Sequence, residues 1–428
     1  MTRADYAGRF DPGLRLEHFS RGRLARLARE WLLIGHLQDR VGMPLVLSQH
    51  TADEMAGVAI DEWMGASPIY SRRVQERLNF VGNDVATIFK NIKIDIGAPH
   101  HFLDFRFAVH DAQHGEFWLD HCGALMDAEP MGDEYVQRMC HDIEDPTFDA
   151  TAAAIHPHAK IRPLHRPPRV PNDRTPHCHW TAVIDETTEP YTQHPNLDLV
   201  GRSRIATVAI DDPGADGEVG GLPDLSGDID PNFELEDLGH RCLVLVLQEV
   251  AVQIHLLSRA FLTCVAQRWG DAEAAEHAPG VFTGVAGIGA ERLRDEFGLG
   301  SDTDSLAKVV QLHPVFWPRT YVPLHIDVLD RDTVRIGFGD GPAFAEGDTY
   351  SWFATFDNAE ESHPALDAIG YAIDPAYGSH RVAARAGERH AFELRRGGEV
   401  RRQAGFVSLA KISTGATVTF IPRTEVQH

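Results

Sequence analysis

The sequence is short of positive charge: 40 Lys and Arg face 63 Asp and Glu, a formal net charge of −23 over 428 residues. Such a field repels phosphate backbones and anionic lipid, which excludes nucleic acid and a membrane surface as main partners. A small molecule or another protein remains, with a homo-oligomer left open. No apolar leader opens the chain, since "MTRADYAGRFDPGLRLEHFS" lacks the h-region of a secretory signal, so a cytoplasmic location is expected. Cysteine is scarce as well. The five residues are an odd number, and Cys122, Cys140 and Cys178 stand among histidines, which predicts reduced thiols and no disulfide framework. There is no CxxC, HExxH, GxxxxGK[ST] or GxSxG, and "GVAGIGAER" puts Arg292 where a dinucleotide loop needs its third glycine. The most apolar run, "LVLVLQEVAVQIHLLSRAFLTCVA", is broken by Gln248, Glu249, Gln253, His255 and Arg259. That many polar groups are too costly in hydrocarbon, so it reads as a buried helix.

What is present is a composition of ordinary globular type, 43% hydrophobic and 24% charged, in a chain too long for one core. It is written twice. "RLARLAREWLLIGHLQDR" and "RCLVLVLQEVAVQIHLLSR" share helical periodicity and align Glu30 with Glu249, His36 with His255 and Arg40 with Arg259 at one offset of 219. The offset persists where "HHFLDFRFAVHD" matches "RTYVPLHIDVLD", both alternating as half-buried strands, and each is followed by a turn and a second strand. The pattern predicts an α+β fold, a tandem duplication of a helix-plus-antiparallel-sheet unit. The expected division is a first repeat over 1–200, an acidic Gly/Pro/Asp-rich linker over 201–235 and a second, degenerate repeat over 236–428. Six helical residues separate Glu from His within each copy, which puts them on different faces. The Glu of one copy is therefore expected to hydrogen-bond the His of the other.

Chemistry-bearing residues are distributed unequally. Of 24 histidines, 11 lie between His100 and His179 with three of the five cysteines, whereas "GDGPAFAE" in the second copy replaces "HCGALMD". Filler for a sheet would be used equally in both copies, so the first is expected to carry a site. In "TPHCHWTAVID", read as a strand, His177 and His179 share one face and Cys178 and Trp180 the other. His121, Cys122, His177 and His179 are the candidate ligands of a divalent transition metal, zinc or iron, with three protein ligands and a water as the catalytic arrangement. His165 joins them if its strand pairs with theirs, and is a catalytic candidate beside Cys140. Cys140 falls on the apolar stripe of its helix with Val136, Met139 and Ile143, and becomes a nucleophile if a neighbouring imidazolium lowers its pKa. His114, in the turn "HDAQHG", reads as a solvated residue.

The run from Cys122 to Trp180 resembles the L-2-amino-thiazoline-4-carboxylic acid hydrolase-like family and, distantly, the 4-vinyl-reductase-type ligand-binding domain. Cys122 closing a strand, Cys140 on a helix, "FDATAAAIHPHAKIRPLHR" leading to Arg166, and Cys178 before Trp180 carry the likeness. It implies an α+β domain with a thiol-lined pocket and ring-opening C–N hydrolysis; in the functional reading that follows, Arg166 is the candidate to fix an anionic substrate group. The functional expectation is metal- or thiol-assisted hydrolysis of a C–N bond in a small polar molecule. The alternative is a non-catalytic protein that binds a small molecule, metal or cofactor.

Overall fold

The computed structural model describes residues 3–214, 218–397 and 399–420. In the first repeat, α1 (Arg21–His36), α2 (Asp39–Gln49), α3 (Ala52–Arg77) and α4 (Val85–Ile92) precede a hairpin of β1 (Leu103–Val109) and β2 (His114–Cys122). Then come α5 (Gly123–Ala128), α6 (Asp133–Gln137), α7 (Glu144–Ala153), β3 (Ala159–His165), β4 (Cys178–Ile184) and α8 (Asn196–Gly201). The second repeat runs α9 (His240–Trp269), α10 (Asp271–Glu296), α11 (Thr303–Leu312), β5 (Leu324–Val328), β6 (Thr333–Gly339), α12 (Ala354–Asp357), α13 (Pro364–Ile373), β7 (Tyr377–Arg381), β8 (Glu388–Arg396) and α14 (Gly405–Ala410).

The two antiparallel sheets have one topology, β1-β2-β4-β3 and β5-β6-β8-β7. The duplicated α+β architecture is thus present in the fold. Local signals repeat with it: Asp84 accepts from the Thr87 amide at the start of α4, and Asp302 from the Ser305 amide at the start of α11, both at 2.8 Å. Asn79 and Gly298, at the ends of α3 and α10, both take φ of 57°. One difference is a helix break. α9 is continuous where the first repeat bends between α1 and α2, and α9 is almost wholly buried against α1, α3 and α10. Its apolar run is therefore spent on the interior of the fold. In α10 the glycines of "GVAGIGAER" permit close helix packing: a Cβ on Gly284 or Gly289 would come within 2.6 Å of Val41 or His313.

The repeats exchange segments. The segment expected to be a linker is anchored at both ends, with Ile205, Val208 and Ile210 buried before its exposed middle and Leu225, Phe233 and Leu235 buried after it, while 215–217 lie outside the described residues. The Lys90 ammonium donates to the carbonyls of Leu225 and Gly227, in the arm leading into the second repeat. Lys308 does the same to Tyr6 and Gly8, in the arm of the first. The arm before α9 thus repeats the arm before α1, and each docks on the opposite unit.

Glu30 and Glu249 do not meet the histidines. Arg292 grips Glu30 through two hydrogen bonds of 2.6 and 2.9 Å, and Arg73 grips Glu249 through two of 3.0 Å. Arg73 and Arg292 correspond at the offset of 219, so the pairs are reciprocal across the pseudo-two-fold. A carboxylate this deeply buried needs a full charge beside it, which imidazole at neutral pH does not supply. His36 and His255 stay in their own units, His255 donating to the Trp317 carbonyl at 2.9 Å. Each arginine also binds a strap: Arg73 the carbonyls of Ala206 and Val208, Arg292 those of Gly415, Ala416 and Val418. Arg292→Ala is expected to destabilise the protein by about 3 kcal/mol in denaturant unfolding, because it strands a buried carboxylate. The double variant E30Q/R292A is expected to lose markedly less than the sum of the single losses; strict additivity would show that the pair is not coupled.

Candidate functional site

Alternation along β1, β2 and β4 sends Phe105, Leu119, Cys178 and Trp180 to the inner face of the first sheet. Between that face and the helices lies a cavity of about 360 Å³. Its other walls come from α2 (Asp39, Met43, Leu47), α3 (Met55, Ala59, Trp63) and α7 with the turn before it (Met139, Glu144, Phe148). Leu409, Ile412 and Ser413 close it from the C-terminal strap of the second repeat. That strap is anchored on Asp127, which accepts from the Ser413 hydroxyl at 2.5 Å and the Thr414 amide at 2.7 Å, and which pairs with Arg40 at 3.3 Å.

The second repeat keeps the frame without the space. Arg259 pairs there with Glu346, which accepts from the amides of Arg204 and Ile205 in the other strap. The corresponding void is about 10 Å³, no more than a single water occupies. Aromatic rings fill the rest: Phe282 stacks on Trp352 at 5.2 Å, Phe356 on His363 at 3.9 Å, and Phe338 lies 4.7 Å from Phe356. Register places Phe338 where the first repeat has Leu119, and the offset places Phe282 at Trp63 and Ala274 at Met55.

A π-helical turn, Arg138–Ile143, joins α6 to α7; it buries Cys140 in the same core as Cys122 and Cys178, and Glu144 directly after it lines the cavity. Burial pushes the Glu144 carboxyl up to about 8, partly opposed by the Arg166 guanidinium. Cys122 is pushed up to about 12 by burial and then by Glu144. Burial raises Cys140 and Cys178 well above the ordinary thiol range, with Glu144 and the other thiols adding to it. Cys140 is therefore a neutral thiol at physiological pH, the reverse of an activated nucleophile. Arg166 pairs with Asp145 at 2.5 Å and lies 5.8 Å over the Trp180 ring. Two further carboxyls line the cavity: Asp95 is raised to about 6 by burial, and Asp39 accepts from the Trp63 indole at 3.0 Å. Glu62, behind Asp39, is pushed well up by burial and then by the Asp39 charge, and burial raises the Asp39 carboxyl as well.

The expected metal ligands do not gather. Strand order places β4 between β2 and β3, and His165 is directly opposite His179, as pairing of those strands requires. That pair, however, lies on the outer face, where the His179 ring nitrogen is 2.9 Å from Glu116. His121 is exposed at an irregularity ending β2, where register shifts between Leu103 and Phe105. Its ring is 5.5 Å from that of His177, whose Nδ1 accepts from the Cys122 amide at 3.1 Å. Burial and the nearby Arg169 charge hold His177 down to about 4. Cys122 points inward to the cavity. The four residues are thus divided among the outer face, the sheet end and the interior.

Sequence reasoning missed Glu144, Asp39 and the methionines. A signal for the last was available: all seven methionines fall at or before Met139, and Met43, Met55, Met131 and Met139 line the cavity. No family model, curated protein or solved structure matches the chain.

Glu144 yields a pH test. Its folded pKa of about 8 lies above the ordinary 4.5, so its contribution to stability is full below pH 4.5 and is lost as pH rises through 8. Compared with E144Q, wild type is expected to match it near pH 4 and to fall behind by on the order of a few kcal/mol by pH 8. Denaturant unfolding at several pH values reads the difference; parallel curves would place Glu144 in contact with water.

Proposed function

We propose that this protein binds a small, largely apolar organic molecule in the cavity of the first repeat. The observation that carries this reading is the contrast between repeats: one frame, one set of capping carboxylates and straps, but about 360 Å³ of space in the first unit against about 10 Å³ at the matching place in the second. An apolar hollow forfeits contacts that a filled core would make, as the aromatic second repeat does make them. The size falls in the range of small-molecule pockets, and flexible thioether side chains adapt to ligand shape. The few polar groups in the apolar wall fix orientation. Asp39, Asp95 and Glu144 are carboxyls, and Arg40, the one guanidinium among the described wall residues, is committed to Asp127. That lining favours a neutral or cationic head group over an anionic one.

A second reading, hydrolysis of a C–N bond, is supported by Glu144. A carboxyl that retains its proton at neutral pH in an apolar pocket is suited to protonating a leaving nitrogen. In that reading Glu144 is the acid, Arg166 tunes it, and the outer-face histidines take no part.

Trp63 and Trp180 line the cavity, so intrinsic fluorescence reports occupancy. Decanol and decylamine are expected to quench or shift it saturably, and decanoate to bind at least tenfold more weakly. Leu119→Phe, which installs the ring that the second repeat carries at Phe338, is expected to weaken decanol binding by tenfold or more at a stability change under about 2 kcal/mol. Equal binding by the variant would move the ligand elsewhere.

A further inference from the structure

The outer face of the first sheet carries a cluster unconnected to the cavity. Among the described residues, one group of three or more potential ligands brings its donor atoms together: His110, His114 and Glu116 each offer an atom, all within 4.8 Å of one another. The hairpin accounts for this. His110 follows β1 directly and sits opposite His114, whose carbonyl accepts from the His110 amide at 3.0 Å. His114 and Glu116, two apart on β2, share a face.

The turn between them is held from two sides, because the Val85 amide donates to Ala112 at 3.0 Å and the Ile184 amide to Gln113 at 2.8 Å. The Asp111 carboxylate closes it, accepting from the Gln113 amide at 2.8 Å. The two oxygens of Glu116 are also divided: Oε1 lies 3.5 Å from His110 Nε2, and Oε2 lies 2.9 Å from His179 Nε2. His179 is in turn braced by Trp118 and His165, whose rings lie 5.7 and 6.1 Å from its own.

We propose that His110, His114 and Glu116 form a divalent transition-metal site, with zinc the best-matched ion, and that His179 orients the carboxylate from behind. Two imidazoles and a carboxylate are a borderline-soft donor set that prefers zinc, nickel or copper over calcium or magnesium. Donor atoms bound at about 2.1 Å to a tetrahedral ion stand about 3.4 Å apart, so small side-chain rotations from the present spacing close the site. Three protein ligands on an exposed face leave a coordination position for water. A histidine hydrogen-bonded to the non-coordinating oxygen of a ligating carboxylate is the usual supporting group. The second repeat supplies the internal control. At the corresponding register it has Leu329, Thr333 and Arg335, with Ala391 in place of His179, and Arg335 is bound to Glu388. The histidine excess of the first repeat thus has a spatial counterpart on this face, whereas the residues expected from sequence to bind metal are scattered.

The test uses the full chain, stripped with chelator and titrated with zinc(II) alone by calorimetry and by competition with a chromophoric chelator. One equivalent is expected at micromolar affinity or tighter. The H110A/H114A variant should lose at least 100-fold, and H179A about tenfold, with circular dichroism unchanged because the first two side chains are at the surface. Cobalt(II) loaded in place of zinc should give ligand-field bands without a sulfur-to-metal charge-transfer band. No binding, undiminished stoichiometry in H110A/H114A, or a sulfur band abolished by C140S would each overturn the site. None of these results bears on decanol binding, so this site and the cavity stand or fall separately.

Discussion

Two buried carboxylate–guanidinium pairs, Glu30 with Arg292 and Glu249 with Arg73, hold this molecule in its one arrangement. A carboxylate at these positions is tolerable only while its partner remains, so the two units cannot separate without exposing or stranding four charges. The same guanidiniums bind the carbonyls of the straps that end each repeat, and the straps complete the opposite unit. The interface and the roof of the cavity are therefore one structure: Arg292 reaches Glu30 on one side and the segment after Ser413 on the other.

On that shared frame the repeats have diverged by what fills the space between sheet and helices. The second uses Phe282, Phe338, Phe353 and Phe356, rigid rings that pack to a solid core. The first uses methionines and buried carboxyls, which neither fill the volume nor gain from being dry. Conserving the capping carboxylates Asp127 and Glu346 in both units keeps the architecture constant while the interior changes. The outer sheet face has diverged along a separate line, with imidazoles on one unit and an Arg335–Glu388 ion pair on the other.

The location of Cys178 and Trp180 shows how far alternation carries an argument. Their face was legible as the one opposite His177 and His179; which of the two faces lines the cavity was not. Alternation sorts residues into two sets but does not say which set meets the helices. The same limit applied to Glu30 and Glu249. Their helical phase showed that neither could meet the histidine of its own helix, but the true partners, Arg292 and Arg73, lie on other helices of the opposite unit and share no local pattern with them.

What the sequence determined by itself was the periodicity, and with it the duplication, the α+β class, the hairpins and the buried character of α9, because these follow from local side-chain spacing repeated at one offset. The tertiary structure alone decided that the arms and straps cross between units, that β4 enters between β2 and β3, and that Glu144 and the thiols share an interior while His121, His177 and His179 part from Cys122. Those outcomes depend on contacts between residues far apart in the chain, whose geometry is set by desolvation and packing, and no short window of residues encodes them.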